Sequence, residues 1–199
     1  EIDNGIVTTN IIHPGQSITG VVFNDLDESI FSTGGVLQLN SSTGEPNSTT
    51  LTTIGGVDTV NKINVFNNEI YGISNNNVIK MAMNGNTLEN QVTVIGNGSA
   101  GSQGSMEGTD PLQISLHSPK ILLIDSLGHH NVLTEGAGGS SKAAILTHAT
   151  DNDLALIPQS YLTVSDGHIS DLIINNTTLY ITDKGNDKIQ TIDITQNSP

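Results

Sequence analysis

Apolar and polar positions alternate in short runs along the chain, most legibly over residues 172–194, LIINNTTLYITDKGNDKIQTIDI. Leu172-Ile173-Ile174 and Leu179-Tyr180-Ile181-Thr182 are β-rich and flank Asn175-Asn176, while residues 188–194 set Ile189, Thr191 and Asp193 against Gln190, Ile192 and Ile194. A period of two bounded by turn residues predicts strand, turn, strand, turn, strand. In the second turn, Asp183 can cap its own backbone and Gly185 tolerates positive φ.

Weaker copies recur upstream. Residues 18–54 hold Val21-Val22-Phe23, an acidic turn at 24–28, Ser29-Ile30-Phe31-Ser32, Val36-Leu37-Gln38-Leu39 and a last run at 50–54. Residues 57–95 repeat this order, with Ile70-Tyr71 in the place of Ile30-Phe31 and Asn67-Asn68 and 74–77 as turns. A third, degenerate copy spans 112–137, where Ile121-Leu122-Leu123-Ile124 leads through Asp125-Ser126-Leu127-Gly128 into a return run at 129–134; a last copy spans 161–194. The Gly/Ser stretch 96–110 is longer than ordinary connections and reads as a surface loop, a lid or a boundary. Residues 142–158 read equally as a hairpin or a short helix. Residues 5–12 form an isolated β-like run ended by His13-Pro14-Gly15, suited to completing a sheet formed elsewhere in the chain or in a neighbouring molecule.

Taking Ile30, Ile70, Leu122 and Leu179 as equivalent gives repeat lengths of roughly 40 to 57 residues, in and just above the range of propeller blades. The expectation is an all-β, β-propeller-like array of about four four-stranded blades within a single domain 1–199, the N-terminal strand completing the last sheet. Each unit buries its faces only against its neighbours, so the array needs ring closure or capped ends.

Composition agrees with this. The 199 residues include three Phe, three Tyr and no Trp, so the core is aliphatic and rich in β-branched residues that favour strands. The formal charge is −14, and all six basic residues are lysines: Lys62, Lys80, Lys120, Lys142, Lys184 and Lys188. A nucleic-acid partner is excluded on that ground, because displacing phosphate counterions takes a cationic surface. With no cysteine there is no disulfide framework, thiolate nucleophile or CxxCH haem attachment. No apolar run is long enough to span a membrane. A sequence opening at Glu1 without a basic segment is expected of a secreted chain after leader removal and equally of a recombinant fragment, and the five Asn-x-Ser/Thr sequons at Asn40, Asn47, Asn97, Asn175 and Asn176 lean toward the former. The expected location is extracellular or at the cell surface, with glycans if the source glycosylates secreted proteins.

The run LYITDKGNDKIQTIDI at 179–194 resembles the repeat of NHL-type β-propellers, in which an apolar-Tyr-apolar strand passes through Asp and Gly-Asn into a basic-Ile return strand. Ser118-Pro119 ahead of ILLIDSLGHHNVLTE is similar to the repeat's Pro before its second strand, with Asp125, Gly128 and Asn131 in loosely matching places. The resemblance implies a propeller. It leaves three arrangements open: a compact ring of four or five blades completed by residues 6–12, a part of a longer propeller, and an assembly in which that strand pairs with another subunit.

Candidate chemistry is sparse. Asp151-x-Asp153 and Asp25-x-Asp27-Glu28 place carboxylates at alternate positions, as calcium loops do, but lack the Gly and distal Glu of an EF-hand, so solvated acidic turns compete with a calcium site. His129-His130 lies in a turn, and neighbours in a strand point to opposite faces, so the pair does not chelate one metal. Asp183 reads as a turn former accepting backbone N–H bonds rather than a catalytic base. Gly136 to Lys142 lacks the ending of a phosphate loop. No catalytic constellation emerges. The expectation is a non-catalytic binding or structural module that engages a protein partner or copies of itself; the alternative is a metal-dependent propeller enzyme of lyase or lactonase type, which the resemblance permits.

Overall fold

The computed structural model of the chain describes residues 2–3, 6–7, 18–23, 29–33, 36–40, 49–53, 60–84, 87–100, 110–134, 145–150, 153–156 and 169–193. Strands β1 (Ile2–Asp3) and β2 (Ile6–Val7) pair antiparallel with each other. The first unit comprises β3 (Ile18–Phe23), β4 (Ser29–Thr33), β5 (Val36–Asn40) and β6 (Thr49–Thr53). The second comprises β7 (Val60–Phe66), β8 (Glu69–Ser74), β9 (Asn77–Asn84) and β10 (Thr87–Ile95). The third holds β11 (Pro119–Ile124), β12 (His130–Thr134), β13 (Ile145–Thr150) and β14 (Asp153–Leu156), and the fourth holds β15 (Ile169–Asn175), β16 (Thr178–Asp183) and β17 (Lys188–Asp193). Within each unit successive strands pair antiparallel. A short parallel contact, Thr52 and Thr53 with Thr87 and Leu88, joins the outer strands of the first two units. Among the described residues, the one helical element is a 3-10 turn at Pro111–Gln113.

Turn chemistry decides where the strands reverse. Asn67 and Asn68 both have positive φ (50° and 59°) between the paired Phe66 and Glu69, and Asn75 (53°) and Asn176 (54°) open two further two-residue hairpins. Asparagine tolerates this left-handed region and matches the twist of the flanking strands.

The units are arranged around a common side. The first strand of each unit lies against the first strand of the next: β3 on β7, β7 on β11, β11 on β15. Three aliphatic cores fill the junctions. Ile30 packs with Val60, Ile63, Ile70, Ile79, Met81 and Leu88 between units one and two. Tyr71, Ile73, Val78 and Ile95 meet Ile114, Leu116, Leu122 and Val132 between two and three. Ile121 and Leu133 meet Leu172, Leu179, Ile181 and Ile192 between three and four. Glycine permits the closest approaches: a Cβ on Gly20 would lie 3.0 Å from Ile63 N, and one on Gly72 would overlap the side chain of buried Val60. The fold is all-β and propeller-like.

Three expectations are corrected. The third unit does not stop at 137: residues 145–150 and 153–156 form a hairpin, not a helix, and supply its third and fourth strands. Leu122 is not the counterpart of Ile30, Ile70 and Leu179, because it lies on the first strand of its unit while those three lie on second strands. The cause is a look-alike turn. Asp125 to Gly128 joins first strand to second, whereas Asp183 to Asp187 joins second to third, so two Asp…Gly…Asn patterns sit at different corners of their sheets. Lastly, Ile6–Val7 pairs with β1 and, among the described residues, joins none of the larger sheets; positions 8–12 of the expected strand lie outside those residues.

Candidate functional site: a cleft between the second and third units

The Asn67-Asn68 hairpin launches β8 with Glu69 and Tyr71 two apart, hence on one face, and register places Lys80 of β9 opposite Tyr71. Lys80 Nζ lies 3.1 and 3.3 Å from the two carboxylate oxygens of Glu69, and the Tyr71 hydroxyl donates to Glu69 Oε2 at 2.8 Å. Partial burial pushes the Glu69 pKa up, but the Tyr71 hydroxyl, the Lys80 ammonium and the charge of His130 outweigh it and hold the carboxyl below its ordinary 4.5. Both members of the ion pair keep about a third of their side-chain surface in solvent (35% for Lys80, 31% for Glu69).

The third unit closes the opposite wall. His130, first residue of β12, sets its ring 5.0 Å from that of Tyr71 at 43°. Gly128, at φ 85°, brings the β11–β12 turn against Phe66, where a Cβ would stand 2.9 Å from the ring. Asp125 builds that turn: its Oδ1 accepts the N–H groups of Leu127 and His129 at 2.9 Å each, and its Oδ2 lies 2.9 Å from His129 Nδ1. A third wall comes from Asp110-Pro111-Leu112, where Asp110 Oδ1 accepts the Leu112 N–H (2.9 Å) and the Pro111 carbonyl accepts from Gly96 N (2.9 Å). The open cleft between these walls has a volume of about 430 Å³. Its lining includes the Glu69 carboxylate, the Lys80 ammonium and the His130 imidazole together with Leu112 and Leu127, 45% and 77% exposed. Oriented polar groups beside exposed apolar side chains can hold a ligand by direction and by contact. Glu69, held by two donors, is a poor proton acceptor and a good orienting charge.

The expected site residues are not gathered here. Asp25, Asp27 and Asp151 lie outside the described residues; Asp153 opens β14, with its backbone paired to Thr150. Among the described residues no three His, Asp or Glu side chains come together as a metal site. Of the sequons, Asn47 lies outside the described residues and Asn40 ends β5. Exposed Asn175 and Asn176 stand at the β15–β16 hairpin. Asn97 is also exposed but engaged: its Nδ2 donates to the Gln113 carbonyl (3.3 Å), and its Oδ1 accepts from Ser99 N (2.9 Å) and Ser115 Oγ (3.2 Å). Asp183, almost fully buried, accepts from Asn186 N, Asn186 Nδ2 and Gln190 Nε2 at 3.2, 2.8 and 3.0 Å, as a turn former does. His129 and His130 diverge, one into the Asp125 turn and one into the cleft. Among the described residues no helix is long and apolar enough to cross a membrane.

Glu69, Tyr71, Lys80 and His130 were not singled out by sequence as a site. The first three were recoverable, since the hairpin at 74–77 pairs residue 71 with 80; His130 belongs to another unit, and nothing local announces its neighbours.

No protein-family model matches the chain, and no curated protein matches it. Among solved structures it is similar to a streptogramin B lyase, with a TM-score of 0.56 at 11% identity, over 96% of this chain and 59% of that one. That likeness is one of fold. This chain thus spans less than two thirds of the lyase's length. A protein of unknown function from Bacteroides caccae aligns at 11% identity with a TM-score of 0.46, over 93% of this chain and 81% of that one.

Proposed function

We propose that the chain is a non-catalytic binding module, extracellular or surface-associated, that takes a segment of a partner protein into the cleft between its second and third units. The observation that carries this reading is the pairing of exposed Leu127 and Leu112 with the fixed Glu69–Lys80–Tyr71 group, which offers apolar contact and a directional polar anchor side by side. The net charge of −14 favours a segment carrying lysine or arginine beside an aliphatic residue. NHL-like repeats, legible at 179–194, belong to the same reading.

A random peptide display library panned on the immobilised chain is the test. Enriched peptides of that kind, lost with Leu127→Lys and weakened by Glu69→Gln, are expected; enrichment indifferent to both substitutions sinks the cleft. The competing reading, a metal-dependent enzyme, takes its support from the lyase named among the structural relatives. It requires a tightly held cation, so a thermal midpoint that falls on chelation and returns with calcium or magnesium would favour it.

A further inference from the structure

Among the described residues, the outward sheet faces of the first and fourth units carry exposed apolar side chains at matching positions. In the fourth unit Leu172, Leu179, Ile181 and Ile192 turn back into the core shared with the third. The alternate positions Ile173, Tyr180 and Ile189 face away, and Ile173 and Ile189 are 63% and 70% exposed. In the first unit Val22 and Ile30 turn toward the second unit, while Val21 faces away at 60% exposure with Phe31 beside it in register. Isolated apolar residues on a surface need no explanation, but cross-strand neighbours on the free face of a repeat do.

Counting rows from the first hairpin of each unit shows what these faces fit. Ile173 and Tyr180 occupy the third row, as Asn64 and Tyr71 do in the second unit. Val21 and Phe31 occupy the third row, as Leu122 and Val132 do in the third unit. Tyr71, Leu122 and Val132 meet in one core at the junction of units two and three. Val21 and Ile173, which stand in the corresponding rows at the two ends of the array, are 60% and 63% exposed.

We propose that a second copy of the chain covers these faces, the fourth unit of one copy docking head to tail on the first unit of the next and reproducing the junction between units two and three. Such a contact is heterologous, joining two different patches of one surface. It is independent of the cleft, so Leu127→Lys leaves it unchanged.

Sedimentation velocity of the full chain over a concentration series tests it. The wild type is expected to rise above the 20.9 kDa of one chain. Val21→Asp and the double variant Ile173→Asp/Ile189→Asp are each expected to remain monomeric, and their equimolar mixture to form a dimer through the one intact pair of faces. A wild type monomeric at every concentration overturns the proposal and assigns the faces to another segment or partner. Self-association of Val21→Asp alone overturns it in favour of pairing between like faces. Should an aspartate variant lose its β-sheet circular dichroism, Val21→Lys and Thr191→Lys replace it on the same faces.

Discussion

Gly72 on β8 faces Val60 and Ile63 of the neighbouring β7 inside the second unit, beside the core that unit shares with the first. Its ideal Cβ overlaps Val60 Cγ1, well inside the roughly 3.5–4.0 Å at which carbons rest. Val60 is fully buried and its branched side chain has no solvent to swing into, so Gly72→Ala overpacks the core and is expected to cost about 1–3 kcal/mol. Val60→Ala alone removes two buried methyl groups, about 2 kcal/mol with the cavity it leaves. Combined, the two changes exchange a methyl between neighbouring strands of the second unit, and the double variant should be no less stable than Val60→Ala, a coupling of about 1 kcal/mol or more. Urea unfolding followed by far-ultraviolet circular dichroism, with tyrosine emission as a second probe because the chain has no tryptophan, reads all four corners of the cycle. Additivity within about 0.5 kcal/mol would refute the claim that these two residues compete for one space.

Asp183→Asn turns an amide donor toward one of the three groups that now donate to the carboxylate, and a destabilisation of roughly 1–3 kcal/mol in the same urea assay is expected. Glu69 has a lowered pKa, so its contribution is present above 4.5 and lost as pH falls through the folded-state value; the gap in thermal midpoint between wild type and Glu69→Gln should be widest near neutrality and close in acid. Produced in a glycosylating host, the chain should carry glycan at the exposed hairpin of Asn175 and Asn176 while Asn97, whose amide is engaged by Gln113, stays bare; intact mass before and after enzymatic deglycosylation, with site mapping, decides it.

Much of the fold was legible because it is written locally. Asn67-Asn68 and Asn175-Asn176 mark hairpins by a backbone preference that needs no distant partner, and strand alternation separates Leu179 and Ile181 from Tyr180 before any sheet is assembled. The third unit misled for the same reason. Asp125 and Asp183 satisfy the same local hydrogen-bonding need, and nothing within a turn tells which pair of strands it joins. The cleft was hidden because Tyr71 and His130 meet only once two units have packed, a relation that intervals along the chain do not carry.

The first hairpins alternate in length: five residues separate Phe23 from Ser29 and Ile124 from His130, but two separate Phe66 from Glu69 and Asn175 from Thr178. Because an odd change in length swaps the sides to which the rows point, neighbouring units are not interchangeable, and the element that can be copied without repacking is a doublet. A gene lengthening or shortening by single units would have to remodel a turn each time, whereas gain or loss of two at once would leave every seam as it was.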